Sequence, residues 1–322
     1  TRSPSAASRP ASAAACDAIL AAVADPSPTF LRDALLIAGF DLRESMRTRR
    51  ALVLALLYLL VSAVSSYGYV QAINFAENTV GTMGAVAGDA EAASAAMDMA
   101  QNEGYRALLM LVAAGDVGMA NYLATYPPMV LIFAYLSLGF LPWLIAMTSY
   151  DLVAGDLHLR TIRFVALRTT RGAFVVGKLF SQLALVAAIA ALGTFPVLII
   201  GAAYLRGFDF VGNFVALVQV WPILALFAFA ILGPVALASQ LVKGPGAARA
   251  LAIVLLFGMW LVSVIALGID DARPFSLLTP FHYKFWFFDP DLKDRLLAAL
   301  ACVAMCGGYT WLGFQIFRRR DL

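Results

Sequence analysis

Gly172-Ala-Phe-Val-Val-Gly177-Lys178-Leu179 is the stretch whose spacing comes nearest to a phosphate-binding loop. In such a loop glycine amides wrap the phosphates, a lysine reaches the terminal ones, and a final Ser or Thr hydroxyl binds magnesium. Leu179 stands where that hydroxyl is needed, no buried strand leads in, and a long apolar block follows. The chain is therefore not expected to bind ATP itself. Nor does any catalytic constellation emerge. The two histidines, His158 and His282, fall on opposite sides of the membrane by the charge pattern below and cannot share a site. No acidic cluster interrupts an apolar block, which argues against proton- or sodium-driven transport and against an intramembrane protease. Cys16, Cys302 and Cys306 make no disulfide framework; the last two sit one helical turn apart in an apolar run and read as small packing residues before a metal or redox pair.

What keeps its interest is the charged stretch from Tyr150 to Lys178, set between two long apolar blocks. Asp151 and Asp156 lead, Arg160, Arg163, Arg168 and Arg171 follow, and His158, Thr161 and Lys178 lie among or beyond them. Acids first and bases last is the order that a helix macrodipole favours. Asp156 and Arg160 add an i,i+4 pair. The apolar positions form no single clean stripe, so a helix here is expected to break near Thr161. The bland reading is an ordinary basic loop; the sharper one is a docking element that meets something polar.

Composition decides what surrounds it. Hydrophobic residues make up 62% of the 322 positions and charged ones 13%, with a mean hydropathy of +0.83. A soluble domain carries about 45–50% apolar and about 25% charged residues. A bilayer core of roughly 30 Å needs about 20 apolar residues per helix, and its backbone groups must be satisfied within the span. The apolar runs are too long for the alternating strands of a barrel. The fold class is accordingly an all-α membrane protein with six transmembrane helices.

In chain order, residues 1–29 are rich in Ala, Ser and Pro and predict a disordered tail. Residues 30–50 predict an amphipathic interfacial helix. Leu31, Ala34, Leu35, Ala38, Leu42 and Met46 share one stripe, Arg32, Asp33, Arg43, Glu44 and Arg47 lie opposite, and Arg47, Arg49 and Arg50 form a basic end. Residues 51–322 form the six-span domain. The spans are expected near 51–71, 128–149, 173–204, 214–241, 250–268 and 295–317, the third being long enough to tilt or overhang. The loop 73–126 carries six acidic residues and one arginine. Residues 269–294 put an aromatic run, Pro280 to Phe288, between acidic ends and predict a re-entrant or surface-lying hairpin. Basic clusters at 43–50, 160–178, 243–249 and 318–320 share one side, which the positive-inside rule makes cytoplasmic, with both termini there and the acidic loop outside. Ala298, Cys302 and Cys306 make a small-residue face, either packing within the chain or a subunit contact.

Tyr150-Asp151-Leu-Val-Ala-Gly155-Asp156, then Arg160-Thr161-Ile-Arg163, then Arg171 and Gly177-Lys178, together resemble the signature of ABC-2 type permeases, the membrane subunits of ABC exporters. Within them the chain looks most like the group holding the permease of the nitrous-oxide reductase maturation system. The likeness extends to the amphipathic helix, the Leu278-Thr-Pro280-Phe-His-Tyr283 hairpin and the Arg-Arg-Asp-Leu ending. Asp156 stands where that family usually has Glu, and Arg160 where it has Gly. The resemblance implies a permease subunit in a bacterial inner membrane, with no cofactor of its own. ATP and magnesium would belong to two copies of a separate ABC ATPase, and a second permease copy would complete a dimer. It implies a cytoplasmic coupling helix at 150–172 with Asp151, Asp156, His158, Arg160, Thr161, Arg163, Arg168, Arg171 and Lys178 as coupling residues. Arg43, Glu44 and Arg47 would be a second ATPase contact. Membrane lipids and a partner protein at the outer loop complete the expected associations; nucleic acid is not among them. The competing reading is a membrane-anchored assembly protein that recruits a partner through that acidic loop.

Overall fold

The computed structural model describes residues 30–47, 49–87, 105–106, 109–110, 113, 116–159, 161, 169–205, 208–269 and 273–319, with the backbone alone at 50, 76–87 and 267. The expected tail, most of the acidic loop, and Arg160, Arg163, Arg168 and Arg320 lie outside the described residues.

Helix α1 (Phe30–Arg47) leads into α2 (Arg50–Ala87) through Arg49, whose φ of 57° turns the chain sharply. The first apolar span, Ala51–Phe75, lies within α2, which continues as helix into the polar stretch beyond it. After the short α3 (Val117–Leu123), Pro127 and Pro128 open α4 (Pro128–Thr148), where a missing N–H costs nothing at a helix start. Then come α5 (Ala154–Leu159), α6 (Arg171–Leu192), α7 (Thr194–Tyr204), α8 (Phe210–Leu241) and α9 (Pro245–Gly268). Two turns of helix, α10 (Arg273–Ser276) and α11 (Pro280–Tyr283), and a 3-10 turn at Trp286–Phe288 precede the last helix, α12 (Leu292–Arg318). Among the described residues six helical spans are long and apolar enough to cross a membrane, and there is no strand. The chain is an all-α membrane protein.

The third span is not one rod. It is interrupted at Gly193, between α6 and α7, and its 34 residues keep the length from which tilt or overhang is expected. The ring of Tyr58 lies so close that no Cβ would fit on Gly193. Ser62 donates to the Gly193 carbonyl at 2.5 Å, and Tyr58 donates to Ser137 on α4 at 2.6 Å. The Ser62 hydroxyl from α2 therefore gives the Gly193 carbonyl a partner inside the hydrocarbon layer, while the Tyr58 hydroxyl ties α2 to α4.

Helix α8 is the axis of the bundle. Phe227, Ala228, Ala230, Ile231, Val235 and Ala238 are all wholly buried, and α8 packs on α12, α9, α4 and α6. The small-residue face of the last span resolves as packing within the chain: Ala298, Cys302 and Cys306 are buried, and Gly233 of α8 meets the backbone of Cys306. Far from the charged stretch, the aromatic hairpin is folded inward. Phe281, Tyr283, Phe287 and Phe288 are buried, Phe288 stacking on Tyr135 of α4 at 5.3 Å and Phe281 meeting Phe227 of α8 edge-on.

Candidate functional site

The charged stretch opens with a tight turn. Ser149 closes α4, residues 151–153 turn, and α5 begins at Ala154. A helix start presents backbone N–H groups that need acceptors, and here the acceptor comes from another span. Ser239 of α8, wholly buried, accepts from the N–H of Val153 at 2.8 Å and of Ala154 at 3.0 Å. Beside it the Arg249 guanidinium of α9 lies 4.2 Å from the centroid of the Tyr150 ring. This is a cation–π contact at the short end of the usual range. The turn is thus seated on α8 and α9 before the short helix begins.

Asp156, in the first turn of α5, pairs with Lys178 of α6. Lys178 also lies 3.3 Å from Asp41 of α1, and the three side chains are 14% to 23% exposed. Gln182, one turn on from Lys178, reaches Asp41 with its amide nitrogen at 3.5 Å, while its oxygen accepts from Ser149 at 3.1 Å. The chain of contacts runs from Ser149 through Gln182, Asp41 and Lys178 to Asp156, joining the end of α4, α6, α1 and α5. Two carboxylates on one ammonium leave a net negative charge. Thr161 meets part of it, donating to Asp156 at 2.7 Å.

The residues that imitated a phosphate loop take part in this assembly. Thr170 caps α6 by accepting from the Ala173 N–H at 3.2 Å, so Gly172 and Gly177 lie inside a regular helix and not in a loop. At Gly177 a Cβ would stand 2.5 Å from the Ala34 carbonyl oxygen and 2.9 Å from the Ile37 Cβ. Glycine is what lets α1 lie close enough for Asp41 to reach Lys178. Nearly two turns below, Arg171 donates to the Arg318 carbonyl at 3.0 Å and lies over the Phe317 ring, tying the base of α6 to the end of α12.

The structure therefore brings together Asp156, Thr161 and Lys178 of the expected coupling residues, and adds Ser149, Asp41, Gln182, Ser239, Tyr150 and Arg249. Asp151 sits in the turn, where a Cβ on Gly155 would stand 3.5 Å from the Asp151 β-carbon. His158 and Leu159 form the exposed tip of α5, Leu159 at 71%. Arg43, Glu44 and Arg47 lie apart from this network, lining a cavity at the C-terminal end of α1. Of the residues sequence reasoning passed over, Ser239 and Gln182 carried one visible signal: each is a polar side chain inside an apolar block.

At the other end of the bundle His282 shares a 3.0 Å hydrogen bond with Ser276, and burial lowers its pKa from the ordinary 6.5. Asp289, Asp291 and Asp294 stand within 4.8 Å of one another there. The Asp291 N–H binds Asp289, and the acids crowd the start of α12, where carboxylates complement the helix dipole.

No curated protein sequence matches the chain. The model of the ABC-2 family transporter proteins matches residues 35–322, a span that holds the whole network from Asp41 to Arg318, and on that match the chain belongs to the ABC-2 transporter family.

Proposed function

We propose that this chain is the permease subunit of an ATP-driven ABC-2 transporter and that α5 is the part a separate ATPase pushes. Family membership supports a permease. One observation carries the assignment of α5: a short helix with its base clamped on several spans and its tip, His158 and Leu159, left exposed. An isolated helix of this length would not persist. Held by Ser239, Arg249 and Lys178, it is a stiff peg, and an exposed leucine at its end suits an apolar pocket on a partner.

In this reading ATP and magnesium sit in two ATPase copies, a second permease copy completes the transporter, and the basic face lies in the cytoplasm of a bacterial inner membrane. Closure of the ATPases presses on the tip. The push passes through Ser239 to α8, through Arg249 to α9, and through Lys178 to α6 and α1, so these helices move with α5 as one body. The result is export of a cargo or a mechanical signal across the membrane. Asp151, Asp156, His158 and Thr161 shape the peg, Arg160, Arg163 and Arg168 supply further ATPase contacts, and Arg171 and Lys178 anchor it.

The test is reconstitution with the candidate ATPase. Leu159→Asp and His158→Asp are expected to lower ATPase binding and stimulated turnover about tenfold or more, the effect of burying an unpaired charge in an interface. Unchanged binding and turnover would remove α5 from the coupling path. Labelling of a cysteine placed at His158 from outside intact cells would overturn the orientation.

A further inference from the structure

We propose that a single water molecule sits inside the membrane beside the break in the third span, held in a hydroxyl-lined notch between α2 and α4. The notch is a cavity of about 10 Å³, and its lining includes Tyr58, Ser62 and Ser65 of α2 and Phe133 and Ser137 of α4. A water needs about 10–15 Å³ of such space and two to four polar partners. Ser62 lies near the middle of the first span, Ala51–Phe75, so these hydroxyls are far from either aqueous face. Lipid hydrocarbon offers them no partner there.

The hydrogen bonds already made around the notch fit one water better than an ion or an acyl chain. Tyr58 donates to Ser137 at 2.6 Å, Ser62 to the Gly193 carbonyl at 2.5 Å, and Ser65 to the Ser62 carbonyl at 2.9 Å. Each of these three has used its only hydrogen, and its oxygen keeps lone pairs that can still accept. Ser137 is the reverse case. It accepts from Tyr58, and among the described residues its own hydrogen has no acceptor. One donor and three acceptors therefore line the notch. A water that accepts from Ser137 and donates to two of the others makes three hydrogen bonds, the usual number for a buried one. An ion would find no charged side chain in this lining. A methylene would leave the Ser137 hydrogen unpaired. The water also gives Ser62 and Tyr58 a second partner, so their bonds to Gly193 and Ser137 can be exchanged one at a time when the break bends.

The inference depends on membrane insertion and not on the ATPase reading, whose failure is seen separately in Leu159→Asp. The full chain is placed in lipid nanodiscs and given brief X-ray pulses, which turn water into hydroxyl radicals where it lies. Oxidation of each residue is then read by mass spectrometry. Phe133 and Phe227 are buried alike, at 2% and 0% exposure, but only Phe133 lines the notch. Phe133 is expected to oxidise well above Phe227. Ser65→Ala removes one acceptor and should lower Phe133 oxidation about fivefold, the factor matching about 1 kcal/mol for one hydrogen bond. Ser65→Val, which also fills the space, should bring it down to the level of Phe227. Loosening of the bundle would raise oxidation, so a fall does not come from damage to the fold. Phe133 no more oxidised than Phe227 in wild type would mean a dry notch and overturn the site. Oxidation of Phe133 that neither Ser65 variant lowers would place the water elsewhere and overturn it equally.

Discussion

Gly177 and Ala34 touch backbone to backbone: a Cβ on the glycine would stand 2.5 Å from the Ala34 carbonyl oxygen. Everything that α1 contributes to the ion network depends on this approach, because Asp41 is held to α6 from the same face. Gly177→Ala is expected to push α1 outward and cost about 1–3 kcal/mol, the usual range for overpacking. Gly172→Ala should cost less, since a Cβ there meets only the Phe30 ring edge at 3.3 Å and that ring can swing. Thermal unfolding in one detergent checks both, and equal melting temperatures for the two variants would refute the backbone contact.

Ser239→Ala leaves two buried N–H groups, on Val153 and Ala154, without their acceptor. An unsatisfied buried donor costs about 1–3 kcal/mol. The loss should be local, with faster hydrogen exchange at those two amides and a weaker ATPase response, while the spans keep their protection. Exchange that stays at the wild-type rate would mean the hydroxyl is not the acceptor.

Lys178→Met keeps the bulk and removes the cation, leaving Asp41 and Asp156 close together without their counterion. Breaking a buried pair costs about 3–5 kcal/mol. The lower end is expected, because the two carboxylates keep 14% and 23% exposure. Converting both acids to Asn in the same background should restore most of the stability, as coupled sites do and independent ones do not. A triple variant no more stable than Lys178→Met would show that charge is not what Lys178 supplies.

His282 gives a pH signature. Its folded-state pKa is lowered below 6.5 by burial, so the unfolded chain binds the proton more tightly. The neutral form's contribution is complete above 6.5 and is lost as pH falls through the folded value. The melting temperature of wild type should decline below about pH 6.5. His282→Asn, which keeps a partner for Ser276, should flatten that part of the curve. Identical slopes would assign the pH response to other groups.

The large blocks were legible because hydrophobicity alone sets them: all six apolar spans lie where the runs place them, and Pro127–Pro128 opens the second. Asp156 and Lys178 were both visible as charges in the stretch that matters. Their pairing was not, since they stand 22 positions apart in the sequence and no local rule brings them together. Asp41 drew no notice within an amphipathic helix, because what it meets, Lys178 and Gln182, comes from α6. Ser239 was hidden by its surroundings; a serine in an apolar span is ordinary until its partner is known. The split at Gly193 escaped for a similar reason. A glycine and Pro196 in a long apolar run suggest a weak point, but the ring and hydroxyls that fill it come from α2.

That split divides the third membrane crossing into two struts with a joint between them. Pro196 has no N–H to return to the Leu192 carbonyl, so the joint lacks one of the ties that would stiffen it. The strut bearing Lys178 and Gln182 is tied to Asp156 and Asp41; the strut beyond Gly193 packs chiefly on α2. In the proposed coupling, torque entering from the charged end would be spent in part on bending at this joint, so that the outer half need not follow the inner half through its full swing.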